Sequence, residues 1–116
     1  MVLNGFMSLL KKIPTHFQQK VYDAVSAVPE GKVTTYKLLA QSIGCKSAQA
    51  IGQALRCNPF APVVPCHRVI KSDLTIGGFA GETVGELITK KKRLLAEEGV
   101  AFIGNRLKDE NDVFVL

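Results

Sequence analysis

A chain of 116 residues has room for one ordinary domain and not for two, and an apolar fraction of 47% can supply a single core. Fifteen Lys and Arg against ten Asp and Glu leave a net charge of +5, which suits an anionic partner such as nucleic acid or an acidic membrane surface, and equally an ordinary basic protein. Cys45, Cys57 and Cys66 are odd in number and lack CxxC spacing, which argues against a disulfide framework or a zinc site and for a reducing interior.

The first 13 residues are apolar only in patches. Asn4 and Gly5 interrupt them and no basic region precedes them, so the expectation is an N-terminal arm over 1–13, neither signal peptide nor membrane span, with one domain over 14–116. From Pro14 to Val28 the pattern is helical: Phe17, Val21, Ala24, Val25 and Val28 share a face, and Thr15 with Gln18 offers a capping box. A turn at Pro29-Glu30-Gly31 leads to a short helix from about Thr35 to Ser42, with Leu38, Leu39 and Ile43 apolar and Gly44 at its exit.

A third helix is predicted from Ala48 to about Cys57, capped by Ser47, with Ile51 and Leu55 facing the core. Two short helices around a Gly-containing turn have helix-turn-helix spacing. The small residues Ala48, Ala50, Gly52 and Ala54 would permit close approach to DNA, and would equally permit close helix packing. Asn58-Pro59 ends the helix, Pro62 and Pro65 keep the next segment extended, and Cys66 opens a mostly apolar stretch to Ile70.

After a turn at Ser72-Asp73, Gly77, Gly78 and Gly81 surround Phe79 in a loop that could pass close to a ligand or merely connect. Thr83 and Glu86 suggest a second capping box for a helix ending near Glu98, with Gly99 as its stop signal. Ala101 to Ile103 and Val113 to Leu116 read as two short strands joined by the polar segment Lys108 to Asp112. The run Lys90-Lys91-Lys92-Arg93 reads as a solvated helix face, with phosphate attraction as the second reading.

Cys66-His67-Arg68 is the densest reactive cluster. Cysteine is a strong nucleophile only as thiolate, and a nearby imidazole or cation favours that form. Adjacent residues need not face each other, so His67 could instead reach the thiol through a water while a carboxylate elsewhere orients it. Taken alone, Cys66 reads first as a buried structural thiol and His67 as a surface or satisfied histidine, with the chemical reading second. His16, in the first turn of a helix, is the weaker candidate.

The run Asn58-Pro59-Phe60-Ala61-Pro62-Val63-Val64-Pro65-Cys66-His67-Arg68-Val69-Ile70 resembles the active-site signature of the O6-alkylguanine-DNA alkyltransferase family. Gly31-Lys32-Val33-Thr34-Thr35-Tyr36, Leu39-Ala40, Gly77-Gly78-Phe79-Ala80-Gly81 and Leu94-Leu95-Ala96-Glu97-Glu98-Gly99 extend the match in order, over roughly Phe17 to Val100. The expected fold is mainly α with short β segments, a single winged-helix-like domain containing a helix-turn-helix. The resemblance implies that Cys66 accepts the alkyl group, that His67 activates it through water with Glu98 in support, and that Tyr36 assists the leaving base and its flipping. Asn58 looks like the hinge between the DNA helix and the active-site segment. Val69, Phe79 and Ala80 would frame the base, and Ala48, Gln49, Ala50, Gly52 and Arg56 would meet the minor groove.

The implied partner is double-stranded DNA containing O6-alkylguanine, bound by a monomer that flips the lesioned nucleotide out of the stack. Neither metal nor soluble cofactor is required, since alkyl donor and acceptor are both in the complex, and no membrane is involved. The expected setting is intracellular, cytoplasmic in a prokaryote and nuclear in a eukaryote.

Two positions depart from the family pattern. The intercalating arginine falls on Gln49, which lacks the cation and the stacking plane, and the loop position often held by serine is Ala80. The spacing from Gly81 to Glu98 is also longer than in the compact family pattern. The resemblance further implies a protein reduced to the catalytic and DNA-binding domain, similar in length to the alkyltransferase-like proteins, which usually carry tryptophan or another non-nucleophile where this chain has Cys66. Direct, irreversible alkyl transfer is therefore the first expectation. A non-catalytic lesion-recognition protein that signals to another repair pathway is the alternative, and an unrelated helix-turn-helix regulator would have no need of Cys66, His67 and Glu98 together.

Overall fold

The computed structural model describes residues 14–59, 63–77 and 85–116, without the side chain of Leu87. The 1–13 segment, Phe79, Ala80 and Thr83 therefore lie outside the described residues. Four α-helices and two pairs of short strands make a mainly α fold there.

Helix α1 (His16–Ser26) begins with the capping box: the Thr15 hydroxyl accepts from the Gln18 amide at 3.1 Å, and the Thr15 amide donates to Gln18 Oε1 at 2.9 Å. Helix α2 (Tyr36–Ser42) is capped by Thr35 and α3 (Ala48–Arg56) by Ser47, whose hydroxyl accepts from the Ala50 amide. Gly44, between them, has φ +69°, a conformation that side chains resist, and it turns the chain from one helix into the next. Strand β1 (Thr34–Thr35) pairs in parallel with β2 (Val69–Ile70), Thr34 opposite Val69 and Thr35 opposite Ile70. A parallel pair needs a long crossover, and α2 and α3 lie within it.

The core has two parts that meet at these strands. Val21, Tyr22, Val25, Leu39, Ile51, Leu55 and Val69 form one under α1, α2 and α3; Val33, Ile70, Ile76, Ile88, Leu95, Val100 and Leu107 form the other, beside helix α4 (Glu86–Glu97). Because successive strand residues point to opposite faces, neighbours Val69 and Ile70 each serve a different cluster. Tyr22 is fully buried with its hydroxyl donating to the Ala54 carbonyl at 2.8 Å, which stitches α1 to α3.

Three sequence expectations are corrected. Helix α4 starts at Glu86 with Gly85 as its N-cap and no side-chain cap bond, so Glu86 is its first residue and not the third of a box-capped helix. The C-terminal strands are β3 (Phe102–Ile103) and β4 (Arg106–Leu107), antiparallel across a tight turn, not Ala101–Ile103 with Val113–Leu116. Gly104, at φ +62°, makes the early turn possible, while Glu110–Asp112 coils into a 3-10 turn and Val113 keeps only a single bridge to Val33. The basic run is not a uniformly solvated face either. Lys90 and Arg93 are exposed, but Lys91 is 0% exposed, because one residue of any four-residue stretch of an amphipathic helix turns toward the core.

Candidate active site

The segment carrying Cys66 is shaped by its prolines and by a short helical turn. Pro65 precedes a 3-10 turn over Cys66–Arg68, closed by the Arg68 amide on the Pro65 carbonyl and the Val69 amide on the Cys66 carbonyl. Cys66 is half-buried and packs against the first core cluster. Asn58 follows the end of α3, and its Nδ2 donates to the Val64 carbonyl at 3.0 Å, which ties the exit of that helix to the residues just before Cys66.

His67 is 4% exposed. Its Nε2 lies 2.9 Å from Glu98 Oε2, and since a carboxylate can only accept, Nε2 carries a proton, which in the neutral ring leaves the lone pair on Nδ1. Glu98 is the C-cap of α4, held in place by the chain reversal at Gly99. Arg68 grips the same carboxylate with both arms of its fork, Nε on Oε1 and Nη2 on Oε2, each at 2.8 Å, and its Nη1 donates to the Val28 carbonyl beyond α1. Burial pushes the Glu98 carboxyl up, but the hydrogen bonds and charges of Arg68 and His67 outweigh it and hold the group below its ordinary value. The acceptor for His67 is thus ionised at neutral pH.

Gly31 explains its place in the sequence motif here. It has φ +87°, and a Cβ at that position would sit 3.3 Å from the Glu98 carbonyl oxygen, so the Pro29–Gly31 turn presses directly on the end of α4.

Tyr36 begins α2 and is half-buried. Burial, reinforced by the negative charge that Cys66 can carry, pushes its phenol above the ordinary value, so it is a hydrogen-bond donor at neutral pH. Tyr36, Ala48, Gln49, Gly52, Lys71, Ser72 and Asp73 line an open cleft of about 530 Å³. The parallel pairing of β1 and β2 brings Tyr36 beside Lys71 at this edge. Ala48 and Gln49 are exposed, Ala50 is half-buried, and Arg56 is exposed in the last turn of α3 without lining the cleft. Val69 is fully buried in β2, next to the reactive turn. Among the described residues no cluster of three or more His, Cys, Asp or Glu could hold a metal ion, and no helix is long and apolar enough to cross a membrane.

The sequence pattern alone assigns Arg68 no task within the reactive tripeptide and puts Lys91 on a solvated helix face, and the structure gives both a partner. No local signal marks a lysine for burial, whereas the adjacency of Arg68 to His67 was a signal that one carboxylate could serve both.

The arrangement defines a class: a small mainly helical domain with a half-buried thiol beside a carboxylate-oriented histidine, next to an open cleft edged by small residues. A family model described as the DNA binding domain of 6-O-methylguanine DNA methyltransferase matches residues 16–100, and the chain belongs to that family. The methylated-DNA–protein-cysteine methyltransferase of Methanothermobacter thermautotrophicus is 44% identical over 90 residues, covering 78% of this chain and 48% of the relative. The crystal structure of O6-methylguanine-DNA methyltransferase from Pyrococcus kodakaraensis superposes with TM-score 0.65 at 41% identity, over 74% of this chain and 47% of that one. S. pombe Atl1, solved in complex with damaged DNA containing O6-carboxymethylguanine, superposes with TM-score 0.71 at 36% identity, over 84% of this chain and 94% of Atl1. The chain spans about half the length of the first two curated relatives it matches.

Proposed function

We propose that this protein repairs O6-alkylated guanine in duplex DNA by transferring the alkyl group irreversibly to Cys66. The observation that carries the reading is the 2.9 Å bond from His67 to the ionised Glu98 beside the Cys66 turn, in a chain of this family. With Nε2–H committed to Glu98, Nδ1 of His67 is the base that receives the thiol proton through a bridging water. The thiolate sulfur then attacks the alkyl carbon: the S–C bond forms, the C–O bond breaks, and its electron pair stays with the guanine. The protonated Tyr36 phenol hydrogen-bonds that leaving base and gives it the proton with which it departs neutral; the phenolate is reprotonated from water, which balances the thiol proton passed to His67.

The target atom is buried against its paired base, so the nucleotide must leave the stack, at a cost of about a few kcal/mol. In this reading Ala48, Ala50 and Gly52 let α3 approach the minor groove, Arg56 meets a phosphate, and Gln49 stands where the flipped base was. Val69, Phe79 and Ala80 frame the flipped guanine, and Asn58 couples α3 to the thiol segment. The finer architecture is a winged helix-turn-helix over 14–116, with α2 and α3 as the helix pair. The hairpin β3–β4 is the wing, pinned to the 74–76 segment by the Leu107 amide on Leu74 and the Ile76 amide on Asn105. The protein acts as a monomer in a reducing intracellular compartment, where a thiol stays reactive.

The decisive experiment incubates the protein with a duplex containing one O6-methylguanine and maps the product by peptide mass spectrometry. One methyl group per chain on Cys66, absent from a Cys66→Ser variant that still binds the duplex, is the expected outcome. Binding without methylation of Cys66 would replace transfer by lesion recognition alone.

A further inference from the structure

Helix α4 grips the reactive segment at two points seven residues apart, which is close to two full turns and therefore one face. Glu98 is the second grip. The first is Lys91, fully buried, whose ammonium donates to the Val69 carbonyl at 2.8 Å and to the Ile76 carbonyl at 2.7 Å. Val69 immediately follows the Cys66–Arg68 turn, and Ile76 immediately precedes Gly77, where the glycine-rich segment starts. One cation thus holds both ends of the 69–76 segment to the helix that orients His67.

We propose that Lys91 is a positioning residue for the transfer reaction: as an ammonium it fixes the spacing between the thiol turn and the stem of the base-framing segment. The inference rests on the alkyl-transfer reading, though the clamp itself is a statement about geometry.

The energetics favour a functional reason for this cation. Burial pushes the Lys91 ammonium down to about 7 from its ordinary 10.5, with the charge of Cys66 pulling it back up. Ile88 and Leu95, one turn to either side of it along α4, are buried in the second apolar cluster, and Cys66 is the titratable group that acts on it from the reactive turn. Between about pH 7 and 10.5 the unfolded chain binds the proton more than the native state does, so this group makes the fold more stable as pH rises through that window. The clamp works in the opposite sense, since its charge is lost over the same rise. A charged lysine at this position therefore costs stability while it holds two carbonyls in register.

The test compares the full chain with Lys91→Met, which keeps the length of the side chain and removes its charge. The expected single-turnover methyl transfer at saturating lesion duplex is slower by about tenfold or more, with affinity for undamaged duplex changed by less than about twofold, because α3 packs on the other core cluster. The ratio of native to K91M rate should fall as pH rises from about 6 to about 9, a comparison in which ionisations common to both proteins cancel. Amide exchange at Lys71, Leu74 and Ile76, all hydrogen-bonded in the native fold, should quicken in K91M.

Unchanged exchange at these amides overturns the clamp, and an unchanged rate at saturation, or a slower one with a pH-independent ratio, overturns its role in transfer. If the native protein methylates nothing while K91M still loosens the segment, the alkyl-transfer reading fails and the clamp stands. Should K91M not fold, exchange in the native protein decides: opening 69–77 returns Lys91 to water and to its ordinary proton affinity, so after correction for intrinsic base catalysis the protection of that segment must rise as pH passes about 7, and constant protection refutes the proposal.

Discussion

The two halves of the proposed site are built by different physics. The thiol turn is held by charge: Arg68 and His67 converge on Glu98, and Lys91 lies across two carbonyls, nearly all of it out of water. Helix α3 is held by a cap and an apolar stripe, with Ser47 at its start, Ile51 and Leu55 inside, and Ala48 and Gln49 left in solvent. Charged, desolvated contacts are costly to break singly, so they suit a group whose position must not drift. A capped helix with small outward residues is easier to vary, and Gln49 lies on that outward side.

Changing each half separately tests that contrast. Arg68→Met should have the largest effect, since it leaves Glu98 with His67 alone and frees the Val28 carbonyl; a loss on the order of 3 kcal/mol in denaturant unfolding is expected. A loss no greater than that of an exposed ion pair would mean that the thiol turn is not held by charge. Glu98→Gln should slow single-turnover transfer by about 10²-fold and leave DNA binding nearly intact, because proton handling is lost rather than contact with the duplex. The same variant has a pH signature. Glu98 is held below its ordinary value of 4.5, so the stability it contributes is complete above that value and is lost as pH falls through the lower folded value. The acid limb of the unfolding profile should therefore be shallower in E98Q, as thermal melts at a series of acidic pH values would reveal.

On the α3 side the expected changes are smaller. Ser47→Ala removes the side-chain acceptor for the Ala50 amide and should cost about 1 kcal/mol, with duplex affinity falling and the transfer step at saturation unchanged. If transfer at saturation also falls, the two halves are coupled more tightly than the contrast allows. Gln49→Arg should tighten lesion-duplex binding by about threefold through a stacking plane and a cation in the DNA field. Reaction with a free O6-alkylguanine base, which needs no flipping, should not change. A fluorescent base analogue beside the lesion, read at matched occupancy and varied salt, separates base extrusion from simple phosphate attraction; a gain in affinity with no gain in unstacking would remove position 49 from the vacated base stack.

What the sequence determined by itself was whatever depends on neighbours within a turn or so. Thr15, Thr35 and Ser47 start their helices because a side-chain oxygen needs an amide only two or three residues away, and Gly44 and Gly99 end theirs because a left-handed residue is a local requirement. The Cys66-His67-Arg68 run was legible as chemistry because its three functional groups are adjacent, and Glu98 was legible only through family resemblance. Tertiary structure decided the rest. Whether Arg68 meets Glu98 is a question about residues 30 apart, and whether Lys91 meets Val69 about residues 22 apart, and no propensity reaches across such gaps. The pairing of β3 with β4 followed the same logic: a two-residue strand carries too little pattern to name its partner, and the turn at Gly104 chose it. Lys91 shows the reason most plainly. A lysine is assigned to the surface by its solvation, and what keeps it inside is a pair of carbonyl oxygens that come within reach of its ammonium only once β2, the 74–76 segment and α4 have packed.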